Sequence, residues 1–248
     1  MAYLRSALFS IGMMGSTVLF STLGLLLVIL PLGPRYRILR RYALFNLWML
    51  EHVCGIRYQV EGVENIPPGP AIVFSKHQST WETLAMQEIF PQQVWVLKKE
   101  LLWLPFFGWG LALLKPIAID RGAGRKAVTQ IIEQGRARLK AGLWVVIFPE
   151  GTRLPPGARS RYRMGGAVLV ADIGYPVVPV AHNAGEFWPK RGFLKRPGTV
   201  RVVIGPPIQT TGRTADAINR EAEQCIESAM ERITHPHFKS HAPERVIP

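Results

Sequence analysis

The first thirty residues are almost continuously apolar. No residue from Ala7 to Leu32 carries a charge, and Leu23-Gly24-Leu25-Leu26-Leu27-Val28-Ile29-Leu30 is nearly all aliphatic. A helix rises about 1.5 Å per residue, so about 20 such residues reach across a hydrocarbon core about 30 Å thick. The run exceeds the roughly 7–15 residues of a signal-peptide core, and no A-x-A-like cleavage site follows it. It also lacks the polar stripe of a core helix, so it predicts a membrane-embedding helix. A second apolar stretch, Tyr42-Ala43-Leu44-Phe45-Asn46-Leu47-Trp48-Met49-Leu50, is soon broken by Glu51, His52 and Arg57. It suits either an interfacial helix anchored by Tyr42 and Trp48 or a helix packed on the domain that follows.

Beyond Gly55 the pattern changes to short Val- and Ile-rich runs separated by amphipathic stretches. Arg57–Glu61, Ala71–Ser75, Val94–Leu97, Ile117–Ile119, Leu143–Phe148, Val177–Ala181 and Val200–Ile204 read as strands. Trp81–Ile89, Arg125–Ala141, Gly165–Asp172 and Thr214–Arg232 read as helices. This alternation predicts one layered α/β domain over residues 57–234, preceded by anchoring helices over 1–56 and followed by a loose polar tail over 235–248. The aromatic stretch Leu101-Leu102-Trp103-Leu104-Pro105-Phe106-Phe107-Gly108-Trp109 is expected to be core, with an acyl-chain tunnel or a membrane-dipping segment as the alternatives.

Composition sharpens the membrane reading. Thirty Lys and Arg against 17 Asp and Glu give a net charge of +13, and the mean hydropathy is +0.13. Such a surplus suits an anionic membrane surface or a nucleic acid equally well. No zinc-finger spacing, RNA-binding signature or Gly-rich basic tail supports nucleic acid, so the membrane is the expected partner. Arg35, Arg37, Arg40 and Arg41 follow the apolar segment, against Arg5 and the amino terminus before it. That asymmetry predicts a domain on the cytoplasmic face of the inner membrane. Two cysteines provide neither a disulfide framework nor a cysteine-rich metal site, and the histidines near the C-terminus are expected to be incidental. No metal is expected.

Chemistry gathers at strand ends. Lys76-His77-Gln78-Ser79-Thr80-Trp81-Glu82 follows a strand and opens a helix. Attack by an alcohol needs a base, and an imidazole paired with a carboxylate suits that task near neutral pH. Ser79-Thr80-Trp81-Glu82 equally fits a capping box, in which Glu82 serves the helix alone. Phe148-Pro149-Glu150-Gly151-Thr152-Arg153 can present amides, a hydroxyl and a forked guanidinium to an anion, or can be an ordinary turn with Arg153 solvated. Ile119-Asp120-Arg121 is a third strand end, either anion-binding or a surface pair. Arg159-Ser160-Arg161-Tyr162-Arg163 reads as a solvated basic face, with a contribution to an anionic pocket as the alternative. No Gly-x-Ser-x-Gly elbow is present, which argues against a serine hydrolase.

From Val60 to Gly205 the sequence resembles the glycerolphosphate acyltransferase family, which includes the bacterial 1-acylglycerol-3-phosphate acyltransferases. His77 to Glu82 matches its first block, Leu101–Pro105 with Ile119-Asp120-Arg121 its second, Phe148 to Arg153 its third and Val178-Pro179-Val180-Ala181 its fourth. The resemblance implies a central mixed, mostly parallel sheet flanked by helices. It implies transfer of a fatty acyl group from acyl-CoA or acyl carrier protein to the sn-2 hydroxyl of 1-acylglycerol-3-phosphate, giving phosphatidic acid, without a resident cofactor. Another lysolipid acceptor, such as a lyso-aminolipid, or a non-catalytic basic adaptor would be the rival readings. In this reading His77 is the base and Glu82 its orienting partner. Arg121, Glu150, Gly151, Thr152 and Arg153, with Lys98 or Lys99, hold the substrate phosphate, and Pro179 shapes the pocket for the acyl chain or its thioester. The family usually carries Asp where this chain has Glu82, and the extra methylene moves the carboxylate by roughly 1 Å.

Overall fold

Seven short runs of β-branched residues become seven strands, and the helices between them cover both faces of the sheet. The computed structural model describes residues 1–239 except Arg121 and Ala123, with the backbone alone at Arg125. The strands are β1 (Ile56–Glu61), β2 (Ile72–Ser75), β3 (Gln93–Lys98), β4 (Ile117–Ile119), β5 (Trp144–Ile147), β6 (Val177–His182) and β7 (Gly198–Ile204). The helices are α1 (Ala2–Leu26), α2 (Leu32–His52), α3 (Trp81–Ile89), α4 (Phe107–Ala112), α5 (Arg125–Lys140), α6 (Met164–Ile173), α7 (Ala215–Ile233) and α8 (Pro236–Lys239). Each expected strand and helix is present, with ends shifted by a residue or two; α4 and α8 lay below the resolution of the sequence pattern. Of the tail expected to be loose from His235, Pro236–Lys239 forms one helical turn, and residues 240–248 lie outside the described part.

The sheet order is β1-β7-β6-β2-β5-β3-β4. All pairings are parallel except β6 with β7. The C-terminal ends of β6, β2, β5, β3 and β4 therefore lie along one edge. Strands buried on both faces are hydrophobic throughout, as in Ile72-Val73-Phe74 and Trp144-Val145-Val146-Ile147. Alternate residues face opposite layers. Val73, Trp144, Val146, Val178 and Val180 pack toward α1, α2 and α3. Ile72, Phe74, Val145 and Val177 pack toward α5, α6 and α7.

Helix α1 is turned inside out relative to a helix in water. Its buried positions are Ser6, Phe9, Ser16, Ser21 and Gly24. Leu4, Leu8, Ile11, Met14, Leu19 and Leu26 point outward, at 50–71% exposure. The small inner face allows close packing: a Cβ on Gly12 would lie 2.4 Å from Met49 Sδ, and one on Gly24 2.6 Å from a Leu113 methyl. Hydrogen bonds reinforce it, from Asn46 to Ser16 Oγ at 3.1 Å and from the Lys195 amide to Ser6 Oγ at 2.9 Å. Buried Lys195 also sets its ammonium 5.0 Å from the Trp188 ring centroid and 5.3 Å from that of Phe9. The helix thus lies alongside the domain.

The second apolar stretch packs on the domain, one of its two readings, and Tyr42, expected as an interfacial anchor, turns inward to accept from Thr17 at 3.1 Å. On α2, Tyr36, Leu39, Ala43, Leu47 and Leu50 are buried, while Phe45 and Trp48 stack on each other at the surface. Arg40 donates to the Gln87 carbonyl at the end of α3, 2.5 Å away. Arg35 is buried and donates to the Val28 carbonyl at 3.0 Å, so it closes the α1–α2 turn instead of joining a basic surface. The aromatic stretch departs from expectation. Trp103, Leu104, Phe107 and Trp109 are 41–71% exposed beside α1, so this segment is not core. Too few other elements pack over it to enclose it.

Phe74 is fully buried on the α6 side, where a Cβ on Gly166 would lie 2.9 Å from its ring. Phe74→Ala should therefore lose about 3–5 kcal/mol of unfolding free energy, read from urea denaturation in detergent. A loss under about 1 kcal/mol would show that this layer is not the packed core described here.

Candidate active site

The edge formed by the C-terminal ends of β2, β5 and β6 carries the chemistry, as is usual for open α/β sheets. His77 leaves the end of β2 and retains 18% side-chain exposure, while Glu82, in the first turn of α3, has none. Glu82 Oε1 lies 2.8 Å from His77 Nδ1. The same carboxylate accepts from the Gln78 amide at 2.9 Å and from the Ser79 amide at 2.8 and 3.1 Å. The capping and orienting readings are therefore one arrangement, in which Glu82 secures the start of α3 and fixes the imidazole. Burial would raise this carboxyl, but the neighbouring His182, the bonds from His77 and the Ser79 amide more than offset it and hold it below its usual value. With Nδ1 held, Nε2 is the ring nitrogen available to a substrate.

The loop after β5 is laced to this turn. The Phe148 ring stacks on His77 with centroids 3.9 Å apart and planes 16° apart. The Leu154 amide donates to the His77 carbonyl at 2.8 Å, and Arg153 Nη1 donates to Thr80 Oγ1 at 2.9 Å. Lys190 donates to Thr152 Oγ1 and to the Arg153 carbonyl, each at 3.1 Å. Gly151 turns the loop at φ +70°, and a Cβ there would meet the Arg163 side chain at 2.5 Å. Glycine is thus required both by the turn and by the arginine lying over it. Arg153, Arg163 and Lys190 crowd cationic charge around this one loop, which fits an anionic substrate group.

Not every expected residue meets this cluster. Lys98 and Lys99 end β3, farther along the same edge, and Lys99 is 2.5 Å from Asp120 at the end of β4. That pairing raises Lys99 and lowers Asp120 from their usual values. Arg121 lies outside the described residues. Glu150 requires correction, because its carboxylate has no exposure and cannot touch a phosphate. Oε2 accepts from the His77 amide at 2.9 Å, and Oε1 pairs with buried Lys76 at 2.5 Å. Pro179 stands apart from the His77 cluster. It sits in β6 opposite Phe74, three residues before His77, and lines a cavity of about 230 Å³ against α7 with Cys225, Ile226 and Arg232.

Three participants escaped the sequence reading. His182, fully buried at the end of β6, lies behind the motif. The Ala184 amide donates to its Nδ1 at 3.4 Å, which leaves Nε2–H to donate to the Lys76 carbonyl at 2.8 Å. Burial lowers this imidazole from its usual value. Its position directly after the fourth block was the available signal. Lys76 could have been read from alternation, which turns it away from His77 into the opposite layer. Glu227, 151 residues beyond Lys76, had no local signal. Among the described residues no cluster of His, Cys, Asp and Glu could hold a metal ion.

The comparisons with known proteins agree with this geometry. The Acyltransferase family model matches residues 57–183. A 1-acyl-sn-glycerol-3-phosphate acyltransferase of Pseudomonas aeruginosa is 45% identical over 245 residues, covering 94% of this chain and 95% of that one. The human 1-acyl-sn-glycerol-3-phosphate acyltransferase alpha is 31% identical over 184 residues, which span 73% of this chain and 65% of that protein. Among solved structures, the 1-acyl-sn-glycerophosphate acyltransferase PlsC of Thermotoga maritima superposes with a TM-score of 0.77 at 21% identity, covering 94% and 95% of the two chains, and so shares the fold.

Because the Glu82 carboxyl lies below 4.5 in the folded chain, the unfolded chain binds its proton more readily. The stability this supplies is complete above about pH 4.5 and is lost as pH falls through the folded value. Urea unfolding between pH 6 and 3 should therefore show a steeper acid loss in the wild type than in Glu82→Gln. Equal slopes would contradict a charged, donor-surrounded carboxylate.

Proposed function

The chain belongs to the acyltransferase family, and from that premise we propose that it moves a fatty acyl group from a thioester donor to the sn-2 hydroxyl of 1-acylglycerol-3-phosphate, yielding phosphatidic acid. The observation that carries this reading is the buried Glu82 carboxylate 2.8 Å from a partly exposed His77, beside a loop that bears Arg153 and is braced by Lys190.

In this scheme the acceptor phosphate meets Arg153, with Arg121 completing the grip. His77 Nε2 takes the proton from the sn-2 hydroxyl as its oxygen attacks the thioester carbonyl. The imidazolium that forms is stabilised through Nδ1–H by the charged Glu82. Collapse of the tetrahedral intermediate breaks the carbon–sulfur bond, and the proton held by His77 goes to the departing thiolate. The result is an ester and a free thiol. The donor, acyl-CoA or acyl carrier protein, is a co-substrate, and no resident cofactor or acyl-enzyme takes part.

The lipid acceptor implies a membrane, and the chain associates with one through the apolar N-terminal helix. We propose that the outer face of α1, with Phe45, Trp48 and the exposed aromatics of 101–109, enters the cytoplasmic leaflet of the inner membrane. Support comes from the many large apolar side chains exposed on α1, on α2 at Phe45 and Trp48, and in the 101–109 segment, in elements that pack against one another. The contacts of α1 with the domain along its length favour embedding side-on over an isolated spanning rod.

His77→Ala should abolish acyl transfer in membranes supplied with paired donors and acceptors, while melting and membrane association stay as in the wild type. Near-normal turnover in that variant, or transfer only to a lyso-aminolipid in the wild type, would end the reading. Arg153→Ala should raise the KM for 1-acylglycerol-3-phosphate by about 10-fold or more, the loss of one charge-assisted contact. An unchanged acceptor KM would remove Arg153 from the phosphate site.

A further inference from the structure

On the far side of the sheet from His77, behind the motif, lies a buried charge cluster that the reaction scheme does not use. Lys76, 1% exposed, donates to Glu227 Oε1 at 2.8 Å and to the Ala158 carbonyl at 3.2 Å, and its ammonium forms an ion pair with Glu150 Oε1 at 2.5 Å. Glu227 in turn accepts from the Tyr162 hydroxyl at 3.1 Å and lies 3.5 Å from Arg159 Nε. A cavity of about 240 Å³, lined by Lys76, Arg159, Glu227 and Lys239 among others, opens on it from the α7 side. Burial would lower the Lys76 ammonium, but Glu150 and Glu227 outweigh it and hold it above its ordinary value. Burial pushes the Glu150 carboxyl up to about 7 against the pull of Lys76.

The cluster converges on one peptide group. The amide of His77 donates to Glu150 Oε2 at 2.9 Å, and the carbonyl of the same peptide, on Lys76, accepts from His182 Nε2 at 2.8 Å. Both ends of the peptide bond that leads into the imidazole are therefore set by buried side chains. The position of Glu150 depends on Lys76, and the position of the Lys76 ammonium depends on Glu227, the one member supplied from the C-terminal helix.

We propose that Glu227 of α7 is a positioning residue for the reaction, setting the His77 backbone through Lys76 and Glu150. The inference rests on His77 being the base and extends the functional unit beyond residues 57–183 to the helix Ala215–Ile233. Glu227 touches no substrate, so its effect falls on the rate of the chemical step and leaves substrate binding alone.

The test uses the full chain in phospholipid vesicles, with kcat and both KM values measured well below the melting point of every variant. Glu227→Asp keeps the charge but withdraws it by roughly 1 Å, and kcat should fall by about 10- to 100-fold at unchanged KM for acceptor and donor. Glu227→Gln retains an oxygen for Lys76 and Tyr162 in place, and should hold kcat within about threefold of the wild type. Wild-type kcat in Glu227→Asp, or a loss carried mainly in KM, overturns the proposal. Should Glu227→Asp fail to fold, Glu227→Gln decides: a loss beyond about 100-fold there would mean that charge, and not position, is what Glu227 supplies. His77→Ala in the same series separates the two levels. If it is inactive while Glu227→Asp is fully active, only the positioning role falls; if it is active, the assignment of the base falls first.

Discussion

A carboxylate with no exposed surface dictates the local architecture of this site. An ionised group removed from water is tolerated only where donors replace its hydration. Glu82 finds them in the Gln78 and Ser79 amides and in His77 Nδ1. Those donors exist in the right directions only if the chain turns sharply between the end of β2 and the start of α3. The requirement to satisfy the charge therefore shapes the turn, and the turn presents the imidazole. Glu82 also resolves its own departure from the family's usual Asp. Its longer arm still reaches both the helix start and the ring, so the added methylene is absorbed without losing either contact.

A second constraint comes from the medium. In water α1 would be a poor helix, with serines inward and leucines outward. In a bilayer the arrangement is consistent, because small residues permit close backbone approach and hydroxyls find partners across the helix interface. The same helix that turns its leucines outward meets Lys195, Met49 and Leu113 on its inner side. A lipid acceptor can thus reach the catalytic edge without the domain leaving the membrane surface. Such coupling explains why an apolar segment and a soluble-looking α/β sheet occur in one rigid unit.

Local features were legible in the sequence, and features that depend on distant partners were not. Val- and Ile-rich runs located the central strands within a residue or two because burial on both faces demands them, while the edge strand β1 alternates between buried and exposed positions. His77, Glu82 and Arg153 were legible because strand ends, capping patterns and forked cations have recognisable spacing. Glu150 was assigned to the phosphate by the family resemblance alone, and its buried partner Lys76 could not be inferred from either neighbourhood. The aromatics of 101–109 misled for the opposite reason. Their hydrophobicity signalled burial in protein, and the alternative apolar phase, lipid, has the same composition rule.

The behind-the-sheet cluster raises the question of why a protein would keep two carboxylates and an ammonium in its interior. Replacing such a group with well-packed apolar residues is often neutral or stabilising, so stability alone is a weak reason for it. Direction is a better one. An apolar side chain cannot hold a particular peptide group at a particular angle, whereas Glu150 does so through its second oxygen. A base that must remove a proton from a hydroxyl delivered by a fluid lipid gains nothing from the substrate's own order. The order has to come from the protein, and here it is conveyed through the sheet by charges that solvent hardly reaches.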